Sequence, residues 1–235
     1  MAGMPCYGLI FDVDGVIADT EEVNARASIQ MFEDLFGLRG VRREDFEAGL
    51  GRGAEAYVRA AADIHGLALS EEQAARAVRV RQANFLKILA KEPLPAFPGV
   101  RELIEAGLAR DAVRLAIATS STREKSRAVL RAARIPIERM AYVTGEDASR
   151  KKPHPELFLT AVARLGLEPR QCAVIEDAPN GVEAAHAAGC VCLAVTNSVA
   201  AAKLAAAERV VASLVGVGID DLLDLIRQGL CHDTS

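Results

Sequence analysis

The sequence predicts a doubly wound α/β fold, in which helices cover a parallel sheet and a separate helical domain is inserted into the chain. Three observations predict this. Residues 9–13 form a short apolar run that is typical of a buried strand. Apolar residues then recur at helical spacing over 20–91, until prolines break the pattern at Pro93, Pro95 and Pro98. Beyond them strands alternate with helices, as in a parallel sheet with right-handed crossovers.

Each element has its own pattern along the chain. The inserted segment begins with a one-sided stripe of apolar residues, namely Val23, Ala27, Met31 and Leu35. A short helical stretch around Phe46 and two helices, over about 57–64 and from Ser70 onward, follow it. Predicted strands then cover 113–119, 141–144, 172–176, 191–195 and 209–212, and predicted helices cover about 100–108, 123–134, 157–165, 179–188 and 219–227.

This pattern predicts two domains. Residues 1–17 and 97–235 form the α/β core, which we expect to be catalytic, and residues 18–96 form the inserted helical domain, here called the cap. The chain passes between them twice, near 18–20 and 92–97, and we expect hinges at both crossings. No internal repeat is visible.

Composition excludes several classes of protein. A net charge of −4 on 235 residues argues against a nucleic-acid surface, and no run approaches the length of a membrane span. Five cysteines without paired spacing, and no secretory signal, predict reduced thiols in a cytoplasmic protein, for which we expect a monomer. The histidines lack the spacing of zinc ligands; they are His65, His154, His186 and His232.

Two carboxylates, Asp12 and Asp14, end the first strand, and Gly15 follows them directly. Strand side chains alternate between faces, so both carboxylates point to one side. Like charges this close need a cation or a shared proton to offset them, and Mg²⁺ is the cation that carboxylate oxygens favour. A turn at the strand end would need only one aspartate. We therefore predict Asp12 as a nucleophile that forms an aspartyl-phosphate, and Asp14 as the acid and base that serves the leaving oxygen and then water.

Hydroxyl side chains follow the second core strand, where ligands of such sheets bind. Thr119 and Ser120 are predicted phosphate contacts, because hydroxyls and the N–H groups of a helix N-terminus bind anions. Ser121 and Glu124 match a capping box, so Ser121 is expected to begin the next helix.

Charged residues follow the third and fourth core strands. Lys152 adjoins Pro153 and is predicted to neutralise the transferring phosphoryl group, with Lys151 as the alternative. Glu176 and Asp177 are predicted metal ligands at the carboxyl end of the fourth strand, although Asp177 could instead cap the following helix.

The cap contains a glycine-rich loop at 49–53 that matches neither the P-loop nor the dinucleotide-binding pattern. A plain turn between helices is one interpretation. The other is a loop that faces the substrate, with Gly51 and Arg52 as substrate contacts and Arg52 binding an anion.

Together these residues resemble the haloacid dehalogenase (HAD) superfamily, with its HAD-like, Rossmann-like core. Its four motifs match 12–16, Thr119, Lys152 and the pair Glu176-Asp177, in the family order and across nearly the whole chain. The position of the cap is similar to the subfamily of β-phosphoglucomutase, phosphoglycolate phosphatase and the CbbY-like phosphatases. The resemblance implies that Mg²⁺ is bound by the Asp12 carboxylate, the Asp14 backbone carbonyl and Asp177, under a movable cap.

The cap departs from the mutase pattern. Asn24, a predicted substrate contact of the cap, stands where β-phosphoglucomutase has a histidine. Leu50 and Ala54 stand where it has cations. A mutase must hold a second phosphate, whereas hydrolysis needs only water. We therefore predict a Mg²⁺-dependent phosphatase acting on a small phosphorylated metabolite, of sugar phosphate or phosphoglycolate type, with a phosphosugar mutase as the alternative. A dehalogenase would not need Asp14 or the second acid pair, and a receiver module would have no use for the cap.

Overall fold

A computed structural model describes residues 6–49 and 53–232, in which six parallel strands form one sheet. The strands are β1 (Tyr7–Phe11), β2 (Val113–Ala118), β3 (Ala141–Val143), β4 (Cys172–Glu176), β5 (Val191–Val195) and β6 (Arg209–Val211). Their order across the sheet is β3-β2-β1-β4-β5-β6, so β1 lies at the centre between β2 and β4. The predicted doubly wound α/β core is confirmed, and the chain direction across the sheet reverses beside β1, where such folds bind ligands.

Eight α-helices accompany the sheet in the described part of the chain. They are α1 (Glu21–Phe36), α2 (Ala54–Ile64), α3 (Glu71–Leu89), α4 (Val100–Leu108), α5 (Arg123–Ala132), α6 (Glu156–Leu165), α7 (Pro179–Ala187) and α8 (Ile219–His232). Short 3₁₀ segments lie at Arg43–Gly49, Ile137–Arg139, Pro169–Gln171 and Ala201–Leu204. Across residues 6–49 and 53–232, none of the helices combines the length and the apolar character that a membrane crossing requires.

The sheet is buried on both faces, as the near-continuous apolar strands require. All five residues of β1 are buried, and so is every residue of β4. One face packs against the apolar sides of α6 and α7, including Phe158 and Val182. This packing fixes the carboxyl ends of the strands, which carry the acidic residues.

The chain divides into two compact units. One contains Thr20–Leu94, and the other contains the sheet with the chain up to Asp19 and from Pro95 onward. Within the sheet unit, the N–H of Phe97 donates to the carbonyl of Ile17 at 2.8 Å, which ties together the two segments next to the chain crossings.

The helical unit has its own aromatic core. The rings of Phe46 and Tyr57 stack with centroids 4.6 Å apart, and Phe32 packs beside them. The guanidinium of Arg81 lies 4.8 Å from the centroid of the Tyr57 ring and donates to Asn24 Oδ1 at 2.8 Å. Asn24 is therefore a buried hydrogen-bond acceptor inside this unit.

Candidate active site

The predicted nucleophile lies in a buried ion-pair cluster at the carboxyl end of β1. The Asp12 N–H donates to the Ile175 carbonyl of β4 at 3.1 Å, which holds the backbone beside that strand. Lys152 Nζ donates to Asp12 Oδ1 at 2.6 Å and to Glu176 Oε1 at 2.5 Å. The exposed fractions of these side chains are 8% for Asp12, 7% for Lys152 and 2% for Glu176. The structure therefore joins residues of three different predicted motifs through one ammonium group.

Burial dominates the protonation of this cluster. It raises the pKa of Asp12 to about 7, with Glu176 and Asp14 acting in the same direction and Lys152 opposing them. Burial and the charges of Glu176 and Asp12 also raise the pKa of Asp177 well above its usual value. Burial works against the charge on Lys152, but Asp12 and Glu176 outweigh it and raise the pKa of the lysine. The Lys152 ammonium group is therefore charged over the whole pH range in which enzymes work.

Glu176 is held by donors on both of its oxygens. Lys152 contacts Oε1, while Oε2 accepts the backbone N–H groups of Asp177 and Ala178 at 2.8 and 3.0 Å. These N–H groups lie at the start of α7, so the carboxylate also satisfies a helix N-terminus. Gly181 makes room for it, because an added Cβ would lie 2.0 Å from Glu176 Oε1.

Asp177 is held from the loop that follows β5. Ser198 donates its hydroxyl to Asp177 Oδ2, and Asn197 Nδ2 donates to the Gly15 carbonyl at 2.8 Å. Gly15 has φ of 83°, and a Cβ there would collide with Asp177 Oδ2. Glycine is thus required directly after the two aspartates, both for the backbone turn and for space.

Asp14 lies in a second, more open group. Ser121 Oγ donates to Asp14 Oδ2 at 2.6 Å, and Lys125 Nζ donates to Asp14 Oδ1 at 2.8 Å. Lys125 Nζ also contacts Ser121 Oγ at 3.2 Å. The side chain of Asp14 is 29% exposed, compared with 8% for Asp12.

The hydroxyls after β2 have different roles from one another. Thr119 is buried, and its Oγ1 accepts the Ser121 N–H at 3.1 Å, whereas Ser120 is exposed. The expectation that Ser121 caps the next helix is wrong. Thr122 is the N-cap of α5, and its hydroxyl accepts the Lys125 N–H at 3.3 Å. Thr122 is followed three residues later by Lys125 and so lacks the Glu or Gln of a capping box, which is why the pattern pointed to Ser121 instead. The one-residue shift leaves Ser121 available to Asp14.

The remaining predicted substrate contacts belong to the cap. Asn24 lies in the helical unit with its side-chain oxygen bonded to Arg81. Gly51 and Arg52 lie outside the described residues. Sequence reasoning did not find Lys125 or Ser198. A lysine on an amphipathic helix normally points to solvent, and the serine is separated from its carboxylate by a whole helix and strand.

A divalent cation fits the buried acids. No group of three His, Cys, Asp or Glu side chains within 6–49 and 53–232 is arranged to hold a metal ion by itself. A set of two carboxylates and a backbone carbonyl needs no such group. Burial is the main cause of the raised pKa values of Asp12 and Asp177, and the neighbouring acids raise them further. Asp12, Glu176 and Asp177 are three buried acids beside Lys152, which is an excess of negative charge. A cation at this point would offset it.

This arrangement defines a class of α/β enzyme in which acids and lysines from several parallel strands meet beside the central strand. The chain matches the model of the haloacid dehalogenase-like hydrolase family over residues 8–189, which is more than half of its length. It therefore belongs to that family, as the four motifs indicated, and the predicted hydrolase class is confirmed.

Named relatives and a solved structure agree with this assignment. The chain is 34% identical over 197 residues to protein CbbY of Rhodobacter capsulatus, which covers 79% of this chain and 83% of the relative. It is 30% identical over 192 residues to hexitol phosphatase A of Escherichia coli, with coverages of 82% and 84%. Its fold is similar to that of a mutant CbbY from Rhodobacter sphaeroides in complex with xylulose-1,5-bisphosphate, with TM-score 0.79 and 26% identity, covering 92% of this chain and 99% of the other.

Proposed function

We propose that the chain is a Mg²⁺-dependent phosphatase that hydrolyses a small phosphorylated metabolite of the sugar phosphate type through an aspartyl-phosphate. The observation that carries the proposal is the single ammonium of Lys152 between Asp12 and Glu176, at 2.6 and 2.5 Å. A carboxylate fixed beside a charged lysine is held in place to attack a phosphoryl group whose charge the lysine can neutralise. Two of the similar proteins support the substrate class. One is named as a hexitol phosphatase, and the other, a CbbY mutant, was solved in complex with a sugar bisphosphate.

The reaction has two halves. An Asp12 carboxylate oxygen attacks phosphorus, the bond from phosphorus to the substrate oxygen breaks, and that oxygen takes a proton from Asp14. A water molecule then attacks the aspartyl-phosphate, gives its proton to Asp14, and releases inorganic phosphate and the Asp12 carboxylate. Thr119 and Ser120 would contact the phosphoryl oxygens together with Lys152.

Mg²⁺, when bound, would supply further positive charge for the phosphoryl oxygens. Asp12, Asp177 and the Asp14 backbone carbonyl would hold it. Glu176 is better suited to orienting Lys152 and the start of α7 than to binding the ion, because both of its oxygens already accept hydrogen bonds. A reducing compartment such as the cytoplasm fits the free thiols of Cys6, Cys172, Cys190 and Cys192.

Hydrolysis is favoured over the mutase alternative by the helical unit. Asn24, which stands where a mutase has a histidine, offers no positive charge, and its oxygen is bonded to Arg81. The histidine that β-phosphoglucomutase has here is thus replaced by a neutral amide, and the neighbouring Arg81 guanidinium already donates to that amide.

A phosphate-release screen tests the proposal. Sugar phosphates, phosphoglycolate and nucleotides would be assayed with and without Mg²⁺, using wild type, Asp12→Asn and, as a matched control, Asp111→Asn at an exposed loop position. We expect Asp12→Asn to lose roughly 10⁴-fold or more in turnover, and Asp111→Asn to keep full activity. Turnover by Asp12→Asn would refute the nucleophile, and a requirement for a bisphosphate primer without phosphate release would show a mutase.

A further inference from the structure

Lys125 is a positively charged residue in the first turn of α5. It is the third residue of α5, and its backbone N–H is fixed by the N-cap Thr122 at 3.3 Å. A helix N-terminus carries partial positive charge, so a cation in the first turn is unfavourable there. The side chain is nevertheless only 12% exposed, and its ammonium lies 2.8 Å from Asp14 Oδ1. The carboxylate of Asp14, three residues after the end of β1, is therefore a favourable partner of this lysine.

Three polar groups make a closed triangle around Asp14. Lys125 donates to one carboxylate oxygen, Ser121 donates to the other at 2.6 Å, and Lys125 also donates to the Ser121 hydroxyl at 3.2 Å. Each group thereby fixes the direction of the other two. A carboxylate bonded through both oxygens has one orientation, whereas a 29% exposed aspartate would otherwise sample several rotamers.

We propose that Lys125, acting with Ser121, is a positioning residue that aims the Asp14 carboxyl group at the leaving oxygen of the substrate, to which its protonated form gives a proton. This inference rests on the proposed phosphatase function, and it extends that function to a residue outside the four motifs. Proton transfer depends steeply on the placement of the acid, so loss of the triangle weakens protonation of the leaving group while phosphoryl attack by Asp12 remains.

Leaving-group chemistry separates this role from a structural one. The leaving group of an alkyl phosphate such as a sugar phosphate is an alkoxide, which needs a proton. The leaving group of p-nitrophenyl phosphate is a phenolate, which is stable without one. We would measure kcat/KM for both substrates in wild type, Lys125→Met, Lys125→Arg and Ser121→Ala. Arg131→Met, an exposed cation on the last turn of the same helix, is the matched control.

We expect Lys125→Met to lower kcat/KM for the alkyl phosphate by roughly 10–100-fold and that for p-nitrophenyl phosphate by less than about threefold. Lys125→Arg should restore most of the difference, Ser121→Ala should show a smaller version of it, and Arg131→Met should show none. Retained activity on p-nitrophenyl phosphate also shows that each variant is folded.

An equal loss on both substrates, or no loss on either, would overturn the inference. Hydrolysis of the two esters by the wild-type protein tests the proposed function separately. If wild type hydrolyses neither ester, the phosphatase proposal fails and this inference falls with it, whereas normal wild-type hydrolysis with equal losses in Lys125→Met refutes the inference alone.

Discussion

Asp12 and Asp14 are two residues apart on one chain segment, and each is paired with a lysine, yet their surroundings differ. The Asp12 side chain is 8% exposed and its lysine 7%, and the same lysine also binds Glu176. The Asp14 side chain is 29% exposed and is held by Lys125 and the Ser121 hydroxyl. One carboxylate is enclosed by protein charges, and the other borders solvent.

The difference matches the two chemical tasks that we propose. A nucleophile must stay in place, and a buried lysine shared by two acids is a rigid support for it. An acid and base must exchange protons with substrate and water, so partial exposure suits Asp14. We call the surroundings of Asp12 the enclosed side and those of Asp14 the open side. Loss of a partner should therefore affect folding on the enclosed side and proton transfer on the open side.

The largest effect is expected on the enclosed side, from Lys152→Met. Removing the ammonium leaves Asp12 and Glu176 buried without their shared partner, which should lower the free energy of unfolding by about 3–5 kcal/mol. Turnover should fall by roughly 10²–10³-fold, because the charge facing the phosphoryl group is lost. Urea denaturation and phosphate release measure the two effects.

Lys151→Met is the matched control, since it removes the same charge from the neighbouring exposed residue. We expect stability and turnover close to wild type. Equal losses in the two variants would show that general charge, and not the buried contact, matters at this position, and would remove the contrast drawn between the two sides.

The sequence predicts this contrast only in part. The strands were predictable because apolar runs such as 172–176 are bounded by turns, and Lys152 was predictable because prolines stiffen the segment just ahead of α6. Side-chain contacts that depend on how a helix is rotated about its axis were not predictable. Lys125 lies 111 residues from Asp14. The N-cap of α5 is Thr122 and not Ser121, and this one-residue difference decides which hydroxyl reaches the acid. Single-sequence patterns do not contain the rotation of a helix about its axis.

A smaller effect is expected from the two serines that hold acids of the site. Ser198 donates to Asp177 on the enclosed side, and Ser121 donates to Asp14 on the open side. Partners that orient a metal ligand typically change metal affinity by roughly 10–100-fold, so Ser198→Ala should weaken Mg²⁺ binding by about tenfold or more. Ser121→Ala should change it by less than about twofold, because Asp14 contributes its backbone carbonyl to the proposed site. Isothermal titration calorimetry with Mg²⁺ alone measures both, and equal weakening would contradict the division between the two sides.

The smallest effect is expected from Asp147, which connects the two sides. Its Oδ2 accepts from Thr144 and from Arg123 of α5, the helix that carries Lys125, and its Oδ1 accepts from Arg164 of α6, the helix that follows Lys152. Burial of Asp147 acts to raise its pKa, but hydrogen bonds from Arg164 and Thr144 outweigh it and lower the pKa to about 2, below the ordinary value of 3.8.

A depressed pKa means that Asp147 stabilises the fold fully above about pH 4, and that this contribution is lost as pH falls from about 4 to 2. Asp147→Asn should therefore be less stable than wild type at neutral pH, and the difference between their urea midpoints should shrink over that acidic range. Turnover should fall only severalfold, and by similar factors for alkyl and p-nitrophenyl phosphates, because both sides of the site loosen together. A difference in midpoint that stays constant down to pH 2 would show that the Asp147 charge does not hold these helices. A selective loss on the alkyl ester would show that Asp147 supports Asp14 alone, and that the two sides are braced independently.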